Sequence, residues 1–408
     1  MSICQRLYPK SSATAALLKH CSNACFLYNL GLEQRNLCPR ARSQKTTYLT
    51  QARELAEARR SFPWLAEGSS VVQQAALRDL DRAFQNWWKN PGHFSRPTWR
   101  KTGRNEGFYA KDLSVRKLSR NWSEVLVPKA GWVKFRLSRS WAEIETSTSA
   151  RVTLDRSGRW HVSLTQPAQA IERRSTRALV GLDMGIASTV TTSDGVHLHI
   201  PKLLSPSEAQ RKRRLQRKLS RQKKGSNRRT RTKLQVAKLS AREVDRRRDW
   251  IEKTTTSLVR DYDIIAIEDL KVKNMVRSAR GTVEKLGKNA AQKRGLNRAI
   301  SSQSWSFFRQ RLEDKAANAS STVVAVNPRF TSQICSQCES IAAENQNNQA
   351  VFACVACGYE ANADINAARN IIAAGFAVAG RRGAPHAKPI RAKHRGPVKR
   401  QLLSGLVA

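Results

Sequence analysis

Four cysteines and three acids have the residue types and settings to do chemistry in this chain. Cys335-x2-Cys338 and Cys354-x2-Cys357 form two knuckles whose thiolates suit tetrahedral zinc. A closed shell of four thiolates leaves no open position for water, so zinc held there is structural. The acids are Asp183 in Gly-Leu-Asp-Met-Gly-Ile-Ala, Glu268 in Asp-Ile-Ile-Ala-Ile-Glu-Asp-Leu, and Asp364 in Ala-Asn-Ala-Asp-Ile-Asn-Ala-Ala. Singly, each has an ordinary explanation, as a strand-end carboxylate facing water or an acid at the positive start of a helix. Together they point to one site. Clustered carboxylates repel unless a cation neutralises them, and hard ions such as Mg2+ or Mn2+ take oxygen ligands. Two such ions activate water and hold a phosphate for in-line attack, so the chemistry expected is phosphodiester hydrolysis.

The charge balance names the substrate class. Lys and Arg number 74 against 31 Asp and Glu, a formal net charge of +43 over 408 residues. A field of that size needs a polyanionic partner, and nucleic acid is the commonest one. The N-terminus lacks the apolar core of a secretory signal, and the longest apolar run, Ile371 to Gly380, is about half a membrane span. The expectation is a soluble, cytoplasmic chain without a membrane partner. In a reducing compartment its 8 cysteines are not a disulfide framework, and only the four paired ones have knuckle spacing.

The elements that must position these residues follow from pattern. Residues 11–90 suit amphipathic helices, including Thr14 to Leu30 and Val71 to Trp88, with Pro63 between them. Within them Cys21 and Cys25 read as part of a buried apolar stripe beside Leu18 and Tyr28. Trp87 and Trp88 are expected in the core, with base stacking beside Trp99 as the alternative. From Gly107 to Thr165 short β runs take over: Glu124–Val127, Gly131–Phe135, Ala150–Leu154 and Trp160–Leu164, the last two joined by a turn at Asp155–Gly158. Ala178–Asp183, Ser188–Thr192 and Val196–Ile200 form a three-strand meander with an acid ending its first strand. Along the strand before Glu268, alternation puts Ala266 and Glu268 on one face and Ile267 and Asp269 on the other. Gly185 is expected to let a ligand approach closely.

Between Arg211 and Lys233 thirteen residues are basic and none is acidic. Leu215, Leu219, Leu234, Val236 and Leu239 give this stretch a narrow packing face, which leaves the rest to lie along phosphates. The candidate nucleic-acid contacts are Arg211, Lys212, Arg213, Arg214, Arg217, Lys218, Arg221, Lys223 and Lys224. The tail from Arg381, rich in Pro and basic residues, reads as disordered.

These residues together resemble the TnpB family of transposon-encoded proteins, compact relatives of type V CRISPR nucleases. The resemblance covers most of the chain. Its motifs are Arg6-Leu-Tyr-Pro9, Gly181-Leu-Asp-Met-Gly185, Ile267-Glu-Asp-Leu-Lys-Val-Lys273, Leu296-Asn-Arg-Ala-Ile300, Thr331-Ser-Gln-Ile-Cys335-Ser-Gln-Cys338 and Asp364-Ile-Asn-Ala-Ala368. It implies an α+β multidomain protein. An RNase H-like (RuvC) nuclease domain would span 175–328 and 360–376, with a zinc ribbon inserted at 329–359. A β-barrel wedge domain would span 1–10 and 106–174, a helical recognition domain inserted at 11–105, and a basic tail 377–408. Carried over by position, the metal-binding catalytic acids are Asp183, Glu268 and Asp364. The implied activity is RNA-guided cutting of double-stranded DNA beside a short adjacent motif, with a guide RNA derived from the transposon end. The chain departs from the family at Glu339, where glycine is common after the second cysteine, at Glu252, where histidine is frequent, and at Asn362-Ala363.

Two rival functions use other features. A regulator that binds DNA under RNA guidance would need the same charge without the cutting. A transposase would draw on His197-Leu198-His199 as a metal pair, but no tyrosine arrangement accompanies it, and two strand histidines facing water explain it as well. An aspartate-aspartate-glutamate transposase fits poorly, because the glutamate here lies between the aspartates.

Overall fold

A computed structural model of the chain describes residues 2–37, 46–103, 106–166, 170–173, 175–279, 281, 287–346, 348 and 350–381. It divides into two compact units: residues 1–168 with 210–241, and residues 169–209 with 242–408.

The first unit combines helices with an antiparallel sheet. Its helices are α1 (Ser11–Leu37), α2 (Tyr48–Ser61), α3 (Pro63–Ala66) and α4 (Ser70–Lys89). Their starts are set by local chemistry: Thr47 and Thr50 form a reciprocal capping box before α2, Pro63 opens α3, and the Ser69 hydroxyl accepts from Val72 N at the head of α4. The strands are β1 (Ser2–Tyr8), β2 (Gly107–Lys111), β3 (Val115–Lys117), β4 (Trp122–Val127), β5 (Gly131–Arg136), β6 (Ser149–Leu154) and β7 (Trp160–Thr165). Their order is β2-β6-β7-β1-β5-β4-β3. The outermost members, β2 and β3, are two halves of one segment bent at Asp112, which has φ of 55°. That continuity joins both ends of the row, so the strand order runs back to where it began.

The helices share most of their core with the strands, while Tyr28, Leu32, Leu80 and Phe84 form a small cluster of helical residues alone. Leu17, Ala24, Leu27 and Val72 share one buried cluster with Phe108, Phe135, Val152 and Val162. Helices α1 and α4, from the segment expected as an inserted helical domain at 11–105, bury apolar faces on the sheet. Trp88 is 54% exposed and Trp99 52%, against the expected core placement of Trp88. Phe84 has taken the buried position one turn earlier.

Helices α5 (Pro206–Arg221) and α6 (Asn227–Asp261) carry the basic run. Residues 210–241 group with the first unit rather than with the segment 175–328 expected to hold them. A Cβ built on Gly158, in the β6–β7 turn, would meet Leu234 Cδ1 at 3.8 Å. Leu215 and Leu239 are buried as expected, while Leu234 is 39% exposed.

The second unit is a five-stranded sheet of β8 (Leu179–Asp183), β9 (Val190–Thr192), β10 (His197–Leu198), β11 (Ile264–Glu268) and β12 (Thr322–Val326), ordered β10-β9-β8-β11-β12. The meander β8-β9-β10 is antiparallel, whereas β8, β11 and β12 run parallel. Helices α7 (Val272–Met275), α8 (Ala290–Gln303) and α9 (Trp305–Ala316) follow β11, and the ribbon strands β13 (Val351–Ala353) and β14 (Glu360–Asn362) precede α10 (Ala363–Arg381). Val180, Leu182, Ile265 and Ile267 pack against Ile251 and Leu258 of α6, Ile300 of α8 and Phe308 of α9. On the other face Ile264, Ala266, Val324 and Val326 pack on Ile371 of α10. This alternation of faces along β11 is the one its sequence predicts. Helix α10 continues through Arg381, past the expected boundary at 376; the rest of the expected disordered tail, residues 382–408, lies outside the described residues. No helix among the described residues is long and apolar enough to cross a membrane.

Candidate active site

Asp183 ends β8 and Glu268 ends β11, its parallel neighbour, with Leu182 registered opposite Ile267. Both acids therefore emerge at the same edge of the sheet. Their side chains share the α10 face, because Leu182 and Ile267 before them point to the opposite core. Asp364 is the second residue of α10. That helix lies directly on the sheet: a Cβ on Gly181 would fall 2.0 Å from the Ala368 carbonyl oxygen, and one on Gly375 2.6 Å from the Ala266 side chain. Only glycine permits such an approach, and it brings the N-terminus of α10 to the strand ends. The Asn362 side chain caps that terminus, accepting from Asp364 N at 3.0 Å and Ile365 N at 3.3 Å. The departure at Asn362 thus has a local role.

The electrostatics register the convergence. Burial, then the charges of Glu268 and Asp364, push the Asp183 carboxyl up to about 8. Burial likewise raises Glu268, opposed by a hydrogen bond donated by the Thr331 hydroxyl at 2.8 Å. None of the three acids is ion-paired among the described residues. Asp269, next in sequence to Glu268, shows the contrast. It turns to the other face, pairs with Lys271 and Arg309 at 2.6 Å each, and is held below the usual carboxylate range by them. Three carboxylates without a counter-charge, two of them raised, are the donor set a hard divalent cation fits. A cleft of about 180 Å³ beside Glu268 is lined by Met184, Leu270, Trp305, Arg309 and Glu313. A Cβ on Gly185 would lie 2.7 Å from the Ser188 carbonyl oxygen, so the turn itself requires the glycine.

The four cysteines form a second cluster. Their sulfurs all lie within 4.8 Å of one another, with Cys335 and Cys357 at 3.7 Å and Cys338 and Cys354 at 3.6 Å. The two knuckles are copies of one turn. Glu339 N donates to Cys335 O and Gly358 N to Cys354 O, each at 2.9 Å; Cys335 N donates to Ser340 O and Cys354 N to Tyr359 O, again at 2.9 Å. Four converging thiols from paired turns fit zinc. This is the one such cluster among the described residues.

The basic run, expected as one helix, forms two, α5 and α6, broken at residues 222–226, where Lys223 and Lys224 lie. Arg211, Arg213, Arg214, Arg217, Lys218, Arg221, Lys223 and Lys224 are exposed, and Lys212 is half-buried. His197 and His199 stack at 6.4 Å, with His197 Nδ1 at the Thr191 hydroxyl and His199 Nδ1 at the Ala187 carbonyl. They are spoken for by the sheet and its turn. Sequence inspection missed Thr331, Asn366 and Asn370, all buried. The signal available was a pair of asparagines one turn apart on an otherwise apolar helix.

Two families match parts of the chain: one described as "Probable transposase" over residues 161–279, and one described as "Cas12f1-like, TNB domain" over residues 305–371. The chain is 36% identical to a putative RNA-guided DNA endonuclease, InsQ, of Escherichia coli (strain K12), over 88% of this chain and 89% of that protein. It is 33% identical to a putative RNA-guided DNA endonuclease of Streptomyces pristinaespiralis, over 91% of this chain and 88% of that one. Among solved structures, the Cas12f1–sgRNA–target DNA complex superposes with a TM-score of 0.56 at 13% identity, covering 88% of this chain and 82% of that one. At that identity the likeness is one of fold.

Proposed function

The chain belongs to the TnpB family of transposon-encoded proteins, and from that premise we propose that it is an RNA-guided DNA endonuclease cutting double-stranded DNA at one metal-dependent site. The observation that carries this reading is the convergence of Asp183, Glu268 and Asp364 at one sheet edge, where burial and then like charge raise Asp183. The strand order, a three-strand antiparallel meander extended by two parallel strands, supports an RNase H-like nuclease domain of the RuvC type. The first unit would supply the wedge and helical recognition parts, and the ribbon at 329–359 would be a structural insertion holding zinc.

Asp183, Glu268 and Asp364 would hold Mg2+ or Mn2+, which when bound supply an activated water and charge neutralisation at the scissile phosphate. The chain's own part is positional. The strand ends fix two carboxylates, the N-terminus of α10 fixes the third, and its dipole favours the negative charge gathered there. Specificity in such a system comes from base pairing with a guide, derived from the transposon end, while the protein grips backbones. The exposed side chains from Arg211 to Lys224 suit that grip.

The test is direct. RNA that copurifies with the protein is sequenced, and a matching duplex target is offered with Mg2+. Cutting that needs Mg2+ and is lost in Asp183→Ala is expected. Absence of Mg2+-dependent cutting, with wild type and Asp183→Ala alike, would leave a DNA-binding regulator.

A further inference from the structure

The ribbon and the acids are linked by a buried polar chain. Glu268 is 8% exposed, and Thr331, 5% exposed, donates its hydroxyl to Glu268 Oε1 at 2.8 Å. The same hydroxyl lies 3.0 Å from Pro328 O. One proton cannot serve both acceptors, and an ionised carboxylate takes it in preference to a neutral carbonyl. Thr331 is in turn held by its backbone: its carbonyl accepts from Asn370 Nδ2 at 2.8 Å. Asn370 Nδ2 also donates to Ile334 O at 2.7 Å, and Asn366 Nδ2 to the same carbonyl at 2.8 Å. The Asn366 side-chain oxygen accepts from Ser336 N at 3.0 Å. Asn366 is fully buried and Asn370 nearly so. Cys335 therefore sits between two residues tied to α10, the helix that begins with Asp364.

We infer that Thr331 is a positioning residue for Glu268, fixing the rotamer in which its carboxylate faces Asp183, and that Asn370 holds Thr331 in place. The inference rests on reading Glu268 as a metal ligand. Orientation of a ligating carboxylate by a hydrogen-bonded neighbour is worth about 10- to 100-fold in metal affinity. Nothing else among the described residues donates to Glu268, so the whole of that effect falls on one hydroxyl. Valine matches threonine in branching, so Thr331→Val removes the donor, but it sets a methyl group against two oxygens and is not neutral in packing, so the comparison with Thr331→Ser carries the test.

The experiment measures Mn2+ affinity of the full-length, zinc-loaded protein by the electron paramagnetic resonance signal of free Mn2+. Thr331→Val is expected to bind Mn2+ about 10-fold more weakly, with zinc content and far-ultraviolet circular dichroism as in wild type. Thr331→Ser, which keeps the hydroxyl, is expected to restore affinity to within a few-fold, a rescue a packing role would not give. Asn370→Ala should weaken binding in the same direction; should it fail to fold, the two Thr331 variants carry the test. Asp183→Asn separates the layers. If it abolishes Mn2+ binding while Thr331→Val leaves it unchanged, the positioning role is wrong and the acid site stands. If neither variant alters Mn2+ binding, the acid site itself is misassigned. Equal losses in Thr331→Val and Thr331→Ser would also overturn the role of the hydroxyl.

Discussion

The second unit holds two groups of side chains of the types that ligate metals, and they are built in opposite ways. The cysteines come from one short segment, 335–357, and two copies of a tight turn bring their sulfurs within 4.8 Å of one another. The acids come from a strand, a second strand and a helix spread over residues 183–364, and only the tertiary fold brings them together. The thiol cluster is assembled by local hydrogen bonds. The acid cluster is assembled against electrostatic repulsion, which the hydrophobic layers on both faces of the sheet outweigh. A site made locally depends on its metal for order; a site made by a core keeps its shape and stores the repulsion.

The largest expected effect breaks the first half of that comparison. Cys354→Ser should reduce bound zinc from one equivalent to near none and open residues 331–362 to hydrogen exchange. Zinc supplies much of the folding free energy of such ribbons, several kcal/mol or more. The central sheet should keep its protection. Unchanged zinc content and unchanged exchange would show that the cysteines are held by packing alone.

Next in size is Gly181→Ala, which acts on the second half. Its methyl group would press on the Ala368 carbonyl, a backbone atom with no freedom to move aside. A loss of about 3 kcal/mol in unfolding free energy is expected, by chemical denaturation, together with displacement of α10 and hence of Asp364. A neutral result would mean that α10 is not seated on β8 as closely as its geometry states.

The two sites also differ in how far they could be read from sequence. The knuckle spacing is a direct statement of geometry, since each Cys-x2-Cys is one turn. The acids had no such ruler. Strand alternation correctly divided Glu268 from Asp269, because a period of two is a local rule. What it could not supply was the partner across the sheet: the parallel pairing of β8 with β11, and the seat of α10 on Gly181 and Gly375, are long-range facts. The same limit hid Thr331, Asn366 and Asn370, whose roles exist only once the ribbon meets the helix. It also misled on Trp88, where helical period alone did not say which of three aromatics, Phe84, Trp87 or Trp88, would reach the core. The placement of 210–241 with the first unit is long-range as well.

The combined cost of burial and repulsion at Asp183 can be measured through pH. A carboxyl raised to about 8 in the folded protein keeps a proton that the unfolded chain, near 4, has already lost. Between those values the folded state binds more protons, so stability falls as pH rises from about 4 to about 8. Zinc-loaded protein freed of other divalent ions should therefore lose stability over that range in part through Asp183. Asp183→Asn should be flatter, and at pH 8 more stable than wild type by about 2 kcal/mol, in paired denaturation curves. Addition of Mg2+ should erase the difference or reverse it. Wild type and variant with parallel pH profiles would mean that Asp183 is neither buried nor crowded by like charge as its placement requires.

The smallest effect sharpens the account of the ribbon. In both knuckles the residue after the second cysteine is left-handed: Gly358 has φ of 69° and Glu339 φ of 64°. The first knuckle shows that a side chain can be carried there, with an interaction of its own. The second has open space around Gly358, with nothing within 4 Å of the point where a methyl group would sit. Gly358→Ala would thus meet no clash, and its whole cost is the left-handed backbone, about 1 kcal/mol. In a segment whose folding is its metal binding, that is about fivefold in zinc affinity, measurable by competition with a chromophoric chelator. A much larger loss would show that the second knuckle packs against something the open space conceals, and no loss would show that the turn relaxes when zinc is bound.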